Sequence, residues 1–515
     1  MKKFNVLANC VADKHYMVDT SNKIAQIQAM VDEGLYFTIN RARQYGKTTT
    51  LGQLKKALMP DYIVARMSFE GIGSIGFETP VKFVHMFMRK IKTALKDNSW
   101  FDDSVVNFED LSAHISKMCQ NKKVVLMIDE VDMTSNNQMF LLLLGVLRDK
   151  FISRNESEDT TFHSVILVGV YDIKNIKIKL INEGLVTLGD NEGSHNSPWN
   201  IAASFKVDMS FSPSEIATML RQYEDDHNTG MDITTISEEI YNYTGGYPFM
   251  VSRICQCIDE DLETKAWTAD GVQSAVKIML NEKNTLFDDM RKNLENHEEL
   301  REFIRSILID GETKSYRIDN PVIDFGTMFG YFHNVCGKVA VSNRLFELRM
   351  TNYFISKNES DISVKRITGV LKEEIVSDGR FNMSLCIEKF AKHYYEMFRN
   401  EDITFYERHG RLLFLTYLQP LINGRGFYHI EAQTRNTKRM DIVVDYGTDQ
   451  FIIELKLWKG DSRHNEAYTQ LLSYMSSKGA SDGYLFTFDF RLVKNRERRA
   501  EWIAIDGRRI FDVVI

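Results

Sequence analysis

Six cysteines are scattered through 515 residues and only Cys255 and Cys257 lie close together. That excludes a disulfide framework or a regular zinc module and leaves buried thiols as the simpler expectation. Seven prolines argue against long disordered linkers. The longest apolar run, Met139–Leu144, falls far short of the ~20 residues that cross a bilayer. The N-terminus has Lys2 and Lys3 but no sustained apolar core. The expectation is therefore a cytoplasmic protein with no membrane partner. Charge of one sign is also lacking: the net value is −7, and residues 401–515 carry 17 Lys and Arg against 16 Asp and Glu. A nearly neutral last module on an acidic body permits a DNA partner without requiring one. The chain is too long for a single core, so several units are expected.

What is present is organised around Phe37–Leu51. A short apolar run, Phe37 and Ile39, enters a turn carrying Gly46-Lys47-Thr48, and a helix follows. Gly46 lets the backbone approach a phosphate, Lys47 reaches its oxygens, and Thr48 offers a hydroxyl to Mg²⁺ at a helix N-terminus. Arg43 and Thr49 complete the candidate nucleotide contacts. Five apolar residues, Val124–Ile128, then lead into Asp129-Glu130, which reads as a buried parallel strand with carboxylates at its C-terminal edge. Asp129 is the candidate Mg²⁺-shell ligand and Glu130 the candidate that polarises the attacking water. An ordinary strand-to-helix turn would explain the first motif alone; the two in this order favour ATP binding.

Strand and helix signals alternate around these motifs: helices at Ile24–Val31, Pro80–Leu95, Phe108–Cys119 and Gln138–Phe151, and strands at Tyr62–Phe69, Ser164–Val170 and Phe205–Met209, the last closing the sheet. The pattern implies an α/β fold with a mainly parallel sheet. Tyr171-Asp172 is a candidate γ-phosphate sensor. Arg148 and Arg154 are candidate arginine fingers in a homo-oligomer, with surface salt bridges as their simpler fate. Helices follow at Ser214–Asp226, Thr235–Tyr243, Phe249–Lys265 and Ala269–Leu280. Gly245-Gly246-Tyr247-Pro248 breaks this run, either as a plain turn or as the hinge of a lid over nucleotide. A helix at Leu300–Leu308 with short strands near Thr313–Ile318 and Lys338–Val341 fits a winged-helix unit. Ser360–Ser377 reads as a helical connector and Phe381–Arg399 as a helix. The expected division is 1–210, an ATPase core; 211–296, a helical lid; 297–375, the winged-helix-like region and connector; and 376–515, a second α/β domain.

In that last part a helix, Glu407–Leu421, precedes strands at Phe427–Gln433, Met440–Val444 and Phe451–Leu457, a helix around Glu466–Met475 and a final strand at Gly483–Phe488. Glu454 and Lys456, two apart on a strand, project from one face. A hairpin turning at Gly447-Thr448 sets Asp441 opposite Glu454. Facing carboxylates repel unless a cation lies between them. Mg²⁺ or Mn²⁺ could take oxygens from Asp441, Glu454, the Leu455 carbonyl and Glu407, while Lys456 orients water and neutralises a phosphate oxygen. That is a phosphodiester-hydrolysing arrangement; the bland alternative, a solvated hairpin, conflicts with the apolar residues on both faces of these strands.

Asp441 followed by Glu454-Leu455-Lys456, with Arg439 just ahead, resembles the PD-(D/E)xK nuclease superfamily, with Met440 where its proline stands. Gln470 through Tyr474 is similar to the Q-x-x-x-Y helix of the RecB-type branch, which implies a site role for Gln470. The N-terminal part, through NRARQYGKTTTL, VVLMIDEVD and SPWNIAASFKVDMSF, resembles the bacterial AAA-ATPase-like family that pairs with such nucleases. That family's loop reads R-P-R-R-F-G-K-[ST], so Arg41 replaces a glycine as the family pattern does, while Ala42, Gln44 and Tyr45 depart from it. The resemblance implies ATP, Mg²⁺ and a DNA-cutting domain under ATPase control. The competing expectation is a signal-transducing (STAND-like) ATPase switch whose last domain binds nucleic acid or a partner without cutting.

Overall fold

The computed structural model describes residues 2–131, 138–170, 199–309, 312–358, 374–377, 379–398, 403–422, 426–430, 442–447, 449–457, 461–488 and 499–515. They form two compact units. The first comprises Met1–Leu286, Asp324–Phe332 and Ser342–Arg344; the second comprises Phe287–Ile323, His333–Val341 and Leu345–Ile515.

In the first unit, β1 (Tyr36–Asn40), β2 (Ile63–Ser68), β3 (Val124–Asp129) and β4 (Ser164–Gly169) make a parallel sheet in the order β1-β4-β3-β2. Strands β3 and β4 are buried along their whole length, because helices cover both faces and each residue must be apolar whichever way it points. One face packs on α1 (Ser21–Asp32) and α2 (Lys47–Leu58) through Phe37, Ile39, Leu51, Leu54, Val125 and Met127. The other packs on α3 (Pro80–Leu95), α4 (Phe108–Cys119) and α5 (Gln138–Asn155) through Tyr36, Leu126, Phe83, Phe87 and Leu147. Thr79 caps α3 by accepting from Lys82 N with Pro80 in the first turn, and Asn107 caps α4; each satisfies an otherwise unpaired N–H of a first turn.

The strand expected over Phe205–Met209 does not form. A single parallel bridge joins Phe37 and Ala203, and the Val207 carbonyl accepts from Arg41 Nη2 at 2.8 Å, so a guanidinium takes a position that a ladder partner would otherwise hold. The helices beyond it are α6 (Pro213–His227), α7 (Ile233–Thr244), α8 (Pro248–Gln256) and α9 (Ala269–Asn281). Ser212 and Glu215 close a reciprocal capping box at the start of α6. The helix expected over Phe249–Lys265 stops at Gln256 and continues only as one π turn, Cys257–Asp261. Further on come α10 (Thr285–Asn296), α11 (Glu298–Leu308), α12 (Pro321–Met328), the hairpin strands β5 (Phe332–Val335) and β6 (Lys338–Val341), and α13 (Arg344–Asn358). The short strands expected near Thr313–Ile318 and Lys338–Val341 meet at one antiparallel bridge, Ser315 with Lys338.

Most of the connector expected to be helical lies outside the described residues. Its end, Val376–Ser377, is β7 and pairs with β8 (Arg380–Phe381), because Gly379 at φ 77° makes a tight turn. Helices α14 (Met383–Phe398) and α15 (Ile403–Ile422) precede a six-stranded sheet of order β13-β14-β12-β11-β10-β9. Its strands are β9 (Gly426–Ile430), β10 (Ile442–Tyr446), β11 (Asp449–Leu457), β12 (Asp482–Phe488), β13 (Arg499–Ile505) and β14 (Arg508–Val514). The helix α16 (Asp461–Lys478) lays Ala467, Leu471 and Met475 on Ile452, Leu485 and Ile510. Two of these strands, β13 and β14, continue past the expected last strand, and β14 inserts beside β12 in parallel.

Candidate functional site

Gly46, at φ 76°, ends the loop after β1 and starts α2, a left-handed turn that glycine makes without strain. Lys47 is buried, and its Nζ donates to the carbonyls of Arg41 and Ala42 at 2.8 and 2.9 Å, so the ammonium is anchored inside the loop. Thr50 Oγ1 donates to the Gly46 carbonyl at 3.0 Å. Thr49 Oγ1 accepts from Cys10 N at 3.2 Å, tying the N-terminal segment to the first turn of α2. Arg41 does not project a guanidinium towards the loop interior: it donates to Asn40 and Val207 carbonyls and stacks over Phe205.

Asp129 ends β3 almost fully buried, at 3% exposure, on the sheet face covered by α2. Its Oδ1 accepts from Glu130 N at 3.1 Å, and Oδ2 lies 3.8 Å from Arg66 Nη2. The same Nη2 donates to the Thr48 carbonyl at 2.9 Å, so Thr48 and Asp129 lie within reach of one side chain. A carboxylate and a hydroxyl-bearing residue at a helix N-terminus are hard-oxygen donors of the kind Mg²⁺ uses with waters and phosphates, and the pair fits that ion. Glu130 adopts φ 55°, a left-handed backbone unusual for a non-glycine residue; such strain clusters where function demands a geometry.

The Gly245–Pro248 break packs on this loop. Tyr247 OH donates to the Arg43 carbonyl, the Tyr45 and Tyr247 rings meet edge to face at 4.6 Å, and a Cβ at Gly46 would come 3.8 Å from Pro248. Burial, and then the charge of Asp208, push the Tyr45 hydroxyl up to about 12, so it stays neutral against its partner ring. Arg43 itself is exposed. Arg154 donates to the carbonyls of Gly34, Phe162 and His163 and lies over Tyr36. Arg148 donates to Asn200 Oδ1 at 2.9 Å. Tyr171 and Asp172 lie outside the described residues.

In the second unit Glu454 is 1% exposed on β11 and pairs with Lys456 on the same strand face. The hairpin has the register expected from a Gly447-Thr448 turn, Ile442 opposite Ile453 through Tyr446 opposite Asp449. Asp441 lies outside the described residues, and Glu407 lies in α15 within the stretch whose side chains are not described. Leu455 is buried between its neighbours, and Gln470 is half-buried on α16, one turn before Tyr474. Among the described residues no three His, Cys, Asp or Glu side chains converge as metal ligands.

A second polar group on this sheet has no counterpart in the motifs. Asp512 on β14, fully buried, accepts at Oδ2 from Tyr468 OH at 2.8 Å and pairs with Arg499 Nη2 at 2.5 Å and His464 Nε2 at 3.3 Å. Burial raises the Asp512 carboxyl, but hydrogen bonds from His464 and Tyr468 and the charges of His464 and Arg499 outweigh it and hold it below the usual range. It lies in the row Glu454–Leu485–Asp512 across β11, β12 and β14. The one sequence signal that could have found this strand is Asp506-Gly507: both residues have positive φ, 49° and 76°, as a two-residue hairpin turn requires.

Comparison with solved structures finds matches at low identity. The chain is similar to the Walker-type ATPase of Pyrococcus abyssi at 10% identity and TM-score 0.47, over 67% of this chain and 99% of that one. It is similar to the ORC2 protein of Aeropyrum pernix at 12% and 0.35, over 66% and 94%. To Cdc6p of Pyrobaculum aerophilum the values are 10% and 0.32, over 64% and 93%. No protein-family model and no curated protein matches the chain. The first unit has an α/β, P-loop ATPase-like fold: a parallel sheet whose first strand runs through a Gly-Lys-Thr loop into a helix, with an acidic strand end beside it. No helix among the described residues is long and apolar enough to cross a membrane.

Proposed function

We propose that the chain binds and hydrolyses ATP and uses it to control a metal-dependent nuclease carried by its second sheet. The observation that carries the ATP reading is the approach of Thr48 and Asp129 to one another at the C-terminal edge of the parallel sheet, bridged by Arg66. Lys47 and the first turn of α2 are the phosphate-binding groups, Arg43 and Thr49 flank them, Thr48 and Asp129 are the residues that would hold Mg²⁺, and Glu130 orients water. Bound there, Mg²⁺ would supply charge neutralisation to the phosphates.

The nuclease reading is supported by Glu454, a carboxylate buried on β11 beside Lys456 where an apolar residue would otherwise pack. It takes Asp441 as the residue facing Glu454, with the Leu455 carbonyl and Glu407 as further oxygen donors, Gln470 as a positioning residue on α16, and DNA as substrate. Mg²⁺ or Mn²⁺ there would supply Lewis acidity at the phosphodiester. Homo-oligomer formation and location in the cytoplasm belong to the same proposal. The test is to incubate linear, circular and single-stranded DNA with the protein, with Mg²⁺ or EDTA and with or without ATP. Metal-dependent cleavage altered by ATP is expected; no cleavage under any condition refutes the nuclease half.

A second reading, a STAND-like switch whose last domain binds without cutting, draws on the contact of Tyr247 and Pro248 with the loop, which gives nucleotide a lever on the helical segment. ATP binding with no cleavage would select it.

A further inference from the structure

We propose that Arg66 is a protein-supplied counter-cation for Asp129 that a divalent cation has to displace, so that it sets the cation concentration at which nucleotide is taken up. The inference rests on the nucleotide reading of Lys47, Thr48 and Asp129 and assigns to that site a residue no motif contains.

Strand β2 lies beside β3 in parallel, with Arg66 opposite Met127 and Ser68 opposite Asp129. Because side chains alternate along a strand, Val64 and Arg66 share the face that Met127 and Asp129 present to α2, and Val64 and Met127 are packed there with Leu51 and Leu54. Arg66 therefore replaces an apolar residue in a row that otherwise builds the core. Its head makes two contacts: Nη2 donates to the Thr48 carbonyl at 2.9 Å and lies 3.8 Å from Asp129 Oδ2; Nη1 comes 3.3 Å from where a Cβ on residue 52 would stand. Gly52 sits inside α2, where glycine is a poor helix former. Its missing side chain gives the guanidinium room, an observation independent of the ion pair. Burial lowers the Arg66 basicity and Asp129 raises it, yet a guanidinium remains charged in either case.

A divalent cation taken up between Thr48 and Asp129 meets this positive charge at close range, in partly buried surroundings where screening by salt is weak. Either the guanidinium withdraws from Asp129 or the cation binds against its repulsion. Both make Arg66 a competitor for the same carboxylate. A purely structural ion pair would affect folding and leave the cation requirement unchanged, which separates the two roles.

The measurement is binding of a fluorescent ATP analogue to the full chain while Mg²⁺ is titrated. Arg66→Met is expected to lower the Mg²⁺ midpoint about tenfold or more. Arg66→Lys, which keeps the charge but loses the planar fork, should stay within about threefold of wild type. Gly52→Ala, which crowds the guanidinium without removing it, should lower the midpoint by about two- to threefold and carries the test if Arg66→Met does not fold. A folded Arg66→Met or Gly52→Ala protein with the wild-type midpoint or a higher one overturns the proposal. A wild type that takes up no nucleotide at saturating Mg²⁺ overturns the nucleotide reading itself, and this inference with it.

Discussion

Asp129 in the first unit and Glu454 in the second are both carboxylates at 3% and 1% exposure on strands covered by a helix, but they are neutralised differently. Asp129 receives Arg66 from the neighbouring strand, 63 positions earlier in the chain, through a contact of 3.8 Å anchored on a third element. Glu454 receives Lys456 from its own strand, two residues on. The first arrangement depends on sheet order and exists only once β2 and β3 are paired. The second is written into the strand and survives any change in its neighbours. A buried carboxylate in a protein interior needs a cation or donors whatever its task, so the location of the partner indicates how far the site depends on the fold around it.

The largest effect expected from this contrast is on cleavage. Glu454→Gln keeps the shape of the side chain but removes charge from the proposed metal site, and cleavage of DNA should fall at least about 100-fold while ATP binding stays unchanged. A variant that cuts at the wild-type rate would leave Glu454 as a structural partner of Lys456 only.

Asp512 extends the comparison, since its partners come from β13 and α16 together. Asp512→Ala removes the buried carboxylate that Arg499, His464 and Tyr468 share, and unfolding in denaturant should show a loss of about 3 kcal/mol, at the low end for broken buried pairs because the Arg499 side chain is 36% exposed. The acid limb follows by sign. The native Asp512 carboxyl is depressed, so its contribution is present above the unfolded value near 4 and is lost as pH falls through the depressed native one. The stability gap between wild type and Asp512→Asn should therefore be full at pH 7 and shrink below about pH 4; a gap that widens on acidification contradicts the assignment. The smallest effect is at the turn between β13 and β14. Gly507 has φ 76° and open space where a Cβ would go, so Gly507→Ala should cost only backbone strain, about 1 kcal/mol, measured by thermal melting.

Legibility in the sequence followed the range of each interaction. Gly46-Lys47-Thr48, the strand ending in Asp129, and Glu454 with Lys456 are local patterns, and the β10–β11 register followed from one turn position. Helices α3 and α4 have the expected bounds because their apolar stripes and caps are local too. Arg66, the seat of Tyr247 on the Arg43 carbonyl, and the Asp512 group join residues far apart in the chain, so no spacing announced them. Strand β13 was missed for a different reason: every residue of it is half-exposed or exposed, and its charged residues hide the alternation that a buried strand would display. The segment Phe205–Met209 has strand-like alternation, with Val207 and Met209 buried, yet the Arg41 side chain on the Val207 carbonyl is a tertiary contact that a residue pattern cannot anticipate.

The central claim is that Lys47, Thr48 and Asp129 form a nucleotide site, and equilibrium binding of ATP with Mg²⁺ tests it most directly. Wild type should bind; Lys47→Ala should lose about 10- to 100-fold in affinity, the worth of charge-assisted phosphate contacts; and Glu130→Gln should bind within about threefold of wild type while turning over more slowly. Equal ATP affinity in wild type and Lys47→Ala would contradict the account.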